Sequence, residues 1–186
     1  MADINFSRPA SSTAVDSRGN EGRGPLADLR WDIIELLFFA YRDFVGDADH
    51  ELEAFGFGRA HHRVLHFVYR YPGLKVADLL DVLRITKQSL GRVLKQLLDE
   101  GYIVQKAGNN DRRQRLLFAT AKGETLVARL AGLQTARLNR ALRDVGPAGA
   151  EAIRQFLRAM IDRDDPDKVL EAIFGTGNTT AKAKES

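Results

Sequence analysis

Residues 85–123 read ITKQSLGRVLKQLLDEGYIVQKAGNNDRRQRLLFATAKG, and this stretch decides the fold. Its opening has helical period. Leu90, Val93, Leu94, Leu97 and Leu98 recur at three- and four-residue spacing, which predicts one buried stripe. Thr86 supplies a hydroxyl at the position of an N-cap. Lys87, Gln88, Gly91, Arg92 and Lys95 fall on the opposite side. Asp99-Glu100-Gly101 ends the helix, with Gly101 suited to the left-handed position just past it. Residues 102–106 then read as a short strand and 115–119 as its return. Turn-forming Gly108-Asn109-Asn110-Asp111 lies between them. A basic-faced helix therefore leads into a hairpin that carries Arg112, Arg113 and Arg115.

Helix, strand, charged loop, strand is the order of a winged helix. Upstream, residues 76–83 are short and apolar at Val76, Leu79, Leu80 and Leu83. They read as the positioning helix of a helix-turn-helix, with Leu83-Arg84-Ile85 as the turn. Between Arg84 and Arg115 stand eight cations: Arg84, Lys87, Arg92, Lys95, Lys106, Arg112, Arg113 and Arg115. Three anions, Asp99, Glu100 and Asp111, oppose them. The local excess exceeds the formal +3 of the whole chain, so the remainder is slightly acidic. Positive charge is gathered where a nucleic-acid reader needs it.

These residues resemble the DNA-binding core of the MarR family of bacterial transcriptional regulators. Their recognition helix commonly shows Ser/Thr, two variable residues, Ser/Thr, a hydrophobic residue and then Arg. Thr86, Ser89, Leu90 and Arg92 match it. The family's wing carries Asp-x-Arg, a hydrophobic strand and a Thr-x-x-Gly helix entry. Here those are Asp111-Arg112-Arg113, residues 116–119 and Thr120-Ala121-Lys122-Gly123. The resemblance covers about residues 29–161. Two positions depart from the pattern. Lys75 stands where a Ser/Thr cap is usual, and Arg84 where Gly or Asn is common.

The resemblance implies a mainly α fold with a small β-hairpin wing. A winged helix-turn-helix core, 59–120, is expected between dimerisation helices at 27–58 and 121–174. Residues 1–26 are rich in Ser, Gly, Arg and Pro and predict a disordered arm; 175–186 predict a disordered tail. Residues 29–45 predict a long helix closed by Gly46-Asp47-Ala48-Asp49. Leu29, Ile33, Leu36, Leu37, Ala40, Tyr41 and Phe44 trace its apolar stripe, widened by Phe38 and Phe39. Leu52, Phe55 and Phe57 anchor a connector to Gly58. A helix at 59–71 follows, closed by Pro72-Gly73. Residues 121–144 form another, broken by Gly146-Pro147. Residues 148–163 come next, with Ile153, Phe156, Leu157, Met160 and Ile161 expected in the core. A short helix at 167–174 closes the pattern.

Gln88 can pair bidentately with adenine and Arg92 with guanine. Gly91 costs a helix interior about 1 kcal/mol against Ala, and it makes sense where a helix must press close to a groove. Thr86, Lys87, Ser89 and Lys95 complete the expected major-groove face. In the family the wing Asp braces an Arg that enters the minor groove, which makes Asp111 and Arg113 that pair. Arg112 and Arg115 are expected on phosphate.

His61, His62 and His66 share one helix. The four-residue spacing of His62 and His66 suits a metal or haem iron. Exposure or packing hydrogen bonds are the favoured explanation, since no carboxylate is obviously placed to complete a cluster. The resemblance places His61 and His62 where the family often lines an effector cleft. No cofactor is required by this reading; a small-molecule, metal or haem effector is left open.

The chain has 186 residues, 44% hydrophobic, no cysteine, and a pI near 9.3. Absence of cysteine excludes disulfides, thiolate metal sites and thiol switches. No apolar run is long enough to cross a membrane, and the opening residues are too polar for a secretory signal. A cytoplasmic protein is expected. Catalytic motifs are absent: there is no phosphate-cradling Gly-rich loop, no His-Glu-x-x-His and no nucleophile elbow. The expectation is a homodimeric regulator, not an enzyme, that binds a near-palindromic double-stranded operator. Repression released by an effector is the expected mode. A winged-helix protein-interaction module and a histidine-based ligand or metal binder are the alternatives.

Overall fold

A computed structural model describes residues 29–108 and 114–161. The expected arm, Asp111, Arg112, Arg113, the short helix at 167–174 and the tail lie outside them. Two compact units are distinguished, 1–37 and 38–186. In the first, the described residues open helix α1, Trp31–Glu53, and Arg30 pairs with Asp32 at 3.0 Å.

The second unit holds the remaining elements in chain order. They are α2 Arg59–Arg70, β1 Leu74–Lys75, α3 Val76–Leu83, α4 Lys87–Asp99, β2 Ile103–Ala107, β3 Arg115–Ala119 and α5 Ala121–Ala159. The three strands form one antiparallel sheet in the order β1-β3-β2. Its existence follows from alternation: Leu117 is fully buried, Leu116 and Phe118 only partly. The hairpin register pairs Ile103 with Ala119 and Ala107 with Arg115. β1 was not foreseen. Two residues carry no readable period, and Leu74 and Lys75 become a strand only by pairing with Leu117 and Leu116. Gly73, at φ +87°, turns the chain into it and donates to the Leu117 carbonyl at 2.8 Å.

One core collects Leu52 from α1, Val64, Leu65 and Val68 from α2, and Leu79 and Leu83 from α3. To these are added Leu90, Leu94 and Leu97 of α4, Leu117 of β3 and Leu126 and Leu130 of α5. Each fully buried leucine contributes roughly 1.5–3 kcal/mol relative to exposure.

Two expectations need correction. Gly46 does not end α1, which continues to Glu53. Val45, Ala48 and Leu52 are buried at three- and four-residue spacing, and their packing outweighs a glycine cost of about 1 kcal/mol. Ion pairs hold the extension, Glu51 to Arg129 at 2.8 Å and Asp47 to Arg137 at 2.9 Å. The second correction concerns the end of α5. Gly146, at φ +69° and ψ −179°, interrupts the helix as expected. Beyond it Ile153, Phe156, Leu157 and Met160 are exposed rather than buried, and Ile161 is only partly covered. Nothing among the described residues of the chain packs over them. Phe38 on α1, 70% exposed, is uncovered in the same way; Tyr41 is also exposed, with the Arg59 guanidinium 5.5 Å from its ring centroid.

Candidate nucleic-acid interface

The helix-turn-helix is built by local chemistry. Thr86, with extended backbone, caps α4: its Oγ1 accepts from the Ser89 amide at 3.1 Å. Its hydroxyl also donates to Ser89 Oγ at 2.9 Å. Such a cap contributes about 1 kcal/mol. Lys75 has no side-chain oxygen to cap α3, and the other half of a capping box remains. Asp78 Oδ2 accepts from the Lys75 amide at 3.1 Å. Arg84 ends α3 in the left-handed conformation, at φ 49° and ψ 47°. A non-glycine residue there costs about 1 kcal/mol. Its exposed position leaves a cation beside the start of α4.

Burial divides α4 as its period demands. Leu90, Val93, Leu94 and Leu97 face the core, and Leu98 is half-buried. Thr86, Lys87, Gln88, Ser89, Gly91, Arg92 and Lys95 are all exposed. A Cβ on Gly91 would meet nothing within 4 Å, so this face is bare to an approaching surface. Lys95 is not free charge, for it pairs with Asp99 one turn on. Arg115 is exposed at the base of the hairpin, and Lys106 lies over the Phe118 ring at 4.9 Å. Asp111, Arg112 and Arg113 lie outside the described residues.

Three bracing residues escaped the reading of the sequence. Arg63 of α2 donates to the Leu83 carbonyl at 2.9 Å, securing the turn between α3 and α4. Lys122 donates to the Glu100 carbonyl at 2.9 Å and sits 4.0 Å from the Tyr102 ring centroid. Gln96 joins α4 to α2 through His61 at 2.9 Å. Their partners lie 20, 22 and 35 residues away, and no local pattern announces them.

Thr120 explains the Thr-x-x-Gly motif. Its Oγ1 accepts from the Gly123 amide at 3.1 Å and donates to the Gly101 carbonyl at 2.8 Å. One hydroxyl thus joins the start of α5 to the chain that leaves α4.

The histidines have different surroundings. His61 is partly buried, and both ring nitrogens are hydrogen-bonded. His62 is 8% exposed, His66 partly buried. Among the described residues no group of three or more His, Asp or Glu side chains could hold a metal ion. Burial holds the His62 imidazole below its ordinary value; His66 adds to the effect and Asp49 opposes it. Burial, then the charge of Arg70, does the same to His66. An unfolded chain therefore takes these protons first as pH falls below about 6.5. Their contribution to stability is complete above that pH and is lost as pH falls toward the folded values. The melting temperature is expected to drop between pH 7.5 and 5.5. A His62→Gln, His66→Gln double variant should show a smaller drop across the same interval by differential scanning calorimetry, whatever its starting stability.

No helix among the described residues is long and apolar enough to cross a membrane. A MarR family model matches residues 55–114. The HTH-type transcriptional regulator PetP of Rhodobacter capsulatus is 46% identical over 129 residues, spanning 69% of this chain and 78% of PetP. Solved structures share the fold. The S. aureus MepR–DNA complex superimposes with a TM-score of 0.57 at 18% identity, over 69% of this chain and 95% of MepR. The Mycobacterium tuberculosis MarR family protein RV2887, in complex with p-aminosalicylic acid, gives 0.51 at 21% identity, over 69% and 97%. The cap, the split burial of α4, the three-stranded sheet and the PetP relationship converge. The chain belongs to the MarR family of winged helix-turn-helix transcriptional regulators, a family of regulators and not of enzymes.

Proposed function

We propose that the protein is a homodimeric, sequence-specific DNA-binding repressor that reads double-stranded DNA with the exposed face of α4. One observation carries the reading. Lys87, Gln88, Gly91 and Arg92 form a bare, cationic surface directly opposite the leucine stripe that anchors the helix. Gln88 and Arg92 are one turn apart, so both reach base edges when α4 lies in a major groove. Arg115 and Lys106 extend the same polarity along the hairpin, toward phosphate. MepR, which shares the fold, was solved with DNA.

Two exposed apolar surfaces support dimerisation. Phe38 and Tyr41 lie on α1; Phe156 and Leu157 lie beyond Gly146 on α5. A two-fold dimer covers such surfaces in pairs and presents two copies of α4. Its operator is then near-palindromic, with half-sites about 10 base pairs apart. Release by a small-molecule effector is the mode we assign; RV2887, which shares the fold, was solved in complex with p-aminosalicylic acid. His61 is already hydrogen-bonded at both nitrogens, and His62 is buried. Contact of an effector with these rings therefore requires rearrangement.

Mobility shift and footprinting on DNA from upstream of the protein's own gene test this proposal. A protected, near-symmetric site bound far more tightly than scrambled DNA is expected. Equal affinity for all fragments would refute sequence-specific reading.

A further inference from the structure

We infer that His61 is a positioning residue for the DNA-reading helix, a latch that ties α4 to the start of α2 while its imidazole is neutral. This rests on the reading of α4 given above. The geometry settles the tautomer. The Gly58 amide lies 3.1 Å from His61 Nδ1, and an amide N–H can only donate. Nδ1 is therefore the acceptor, and the ring proton sits on Nε2. From there it is donated to Gln96 Oε1 at 2.9 Å. The far end of the Gln96 side chain is occupied as well. Its Nε2 donates to Glu100 Oε1 at 2.9 Å and reaches the Gly56 carbonyl at 3.5 Å. This fixes the amide's orientation, since a flipped amide would set donor against donor.

The ring is held in plane too. It stacks on Phe57 at 4.8 Å with an 11° tilt, and Phe57 meets the Tyr102 ring edge-on at 5.0 Å. One imidazole thus caps α2, through Gly58, and fastens the C-terminal half of α4. The recognition face occupies the N-terminal half of the same rigid helix, so the bond sets how that face is presented.

Protonation reverses one contact. A proton on Nδ1 would point at the Gly58 N–H, and two donors would face each other. Both the cap and the ring's position are then lost. Charged and titratable groups around the latch are otherwise engaged. Arg59 pairs with Asp49 of α1, Lys95 with Asp99, and Lys122 with the Glu100 carbonyl. Glu100 is one hydrogen bond away through Gln96. His62 is next in the chain and buried; Tyr102 bounds the far side of Phe57.

The test measures operator affinity and melting temperature at pH 7.5 and pH 5.5 for wild type, His61→Gln, His61→Ala and Arg92→Ala. Glutamine can accept from Gly58 and donate toward Gln96, and it does not titrate in this range. Histidines that gain protons add positive charge, which by itself strengthens binding to phosphate. A loss on acidification that His61→Gln does not share therefore reports the latch. We expect wild type to bind more weakly at pH 5.5 than at pH 7.5. His61→Gln should match wild type at pH 7.5 and stay nearly flat. His61→Ala should be weak at both values. Imidazole nitrogen spectra of the wild-type chain give a reading that needs no variant. They should show the Nε2–H tautomer at pH 7.5. A wild-type pH profile in His61→Gln, or an Nδ1–H tautomer at pH 7.5, overturns the latch. If Arg92→Ala keeps full operator preference, the reading of α4 itself fails and the latch falls with it. If Arg92→Ala loses preference while His61→Gln titrates like wild type, the latch alone is wrong.

Discussion

Gly123→Ala is expected to destabilise the protein by about 3 kcal/mol, a fall of roughly 10 °C in melting temperature for a chain of this size. Gly123 is buried in the first turn of α5. An added Cβ would fall 2.1 Å from the Tyr102 carbonyl oxygen and 3.3 Å from Leu65 Cδ1. The first of these is backbone and cannot swing aside. Separating α5 from the chain that leaves α4 would also strain the Thr120 bonds to Gly123 and Gly101. Gly132→Ala is the control. It lies further along the same helix, exposed, with nothing within 4 Å of the new methyl group. There the propensity gain of about 1 kcal/mol should raise the melting temperature. Thermal unfolding of both variants decides the point; a harmless Gly123→Ala would show that α5 does not pack on Tyr102 as described.

The second large effect concerns assembly. Phe156→Glu together with Leu157→Glu should yield a monomer whose operator affinity is lower by about 100-fold. That is the scale lost when two linked binding events become independent. Both side chains are exposed on the single chain, so the substitutions should leave its own fold intact. Sedimentation equilibrium at micromolar concentration and a mobility shift on the same samples check both halves of the expectation. An unchanged dimer would assign the apolar face beyond Gly146 to some other purpose.

The core of this architecture is readable because its signals are local. Thr86 announces α4, the leucine spacing orients it, and Gly101 closes it at φ +73°. The return strand and α3 follow from equally short patterns. Where the reading failed, the cause lay far along the chain. β1 exists only through β3. The length of α1 is set by burial of Ala48 and Leu52 and by arginines of α5, so a local breaker such as Gly46 misleads. Phe156 and Leu157 have core-like spacing, yet period alone does not say whether the covering surface belongs to the same chain. The candidate site divides the same way. Its exposed face was legible from helical period. The residues that hold it in place, Arg63, Gln96 and Lys122, became visible only once distant carbonyls and rings were brought to them.

That α4 reads base edges is the central claim, and one comparison tests it most directly. Arg92→Ala and Arg115→Ala are each titrated against the operator and against scrambled DNA over a range of salt. Arg92 projects from the bare face of α4, while Arg115 stands at the hairpin. Arg92→Ala should lose about 1–3 kcal/mol on the operator, little on scrambled DNA, and relax preference at one position per half-site. Arg115→Ala should weaken binding to both DNAs alike and reduce the salt slope by about one, because a phosphate contact acts through counterion release. If Arg92→Ala instead lowers both affinities by the same factor, α4 is an electrostatic patch and not a reader of sequence.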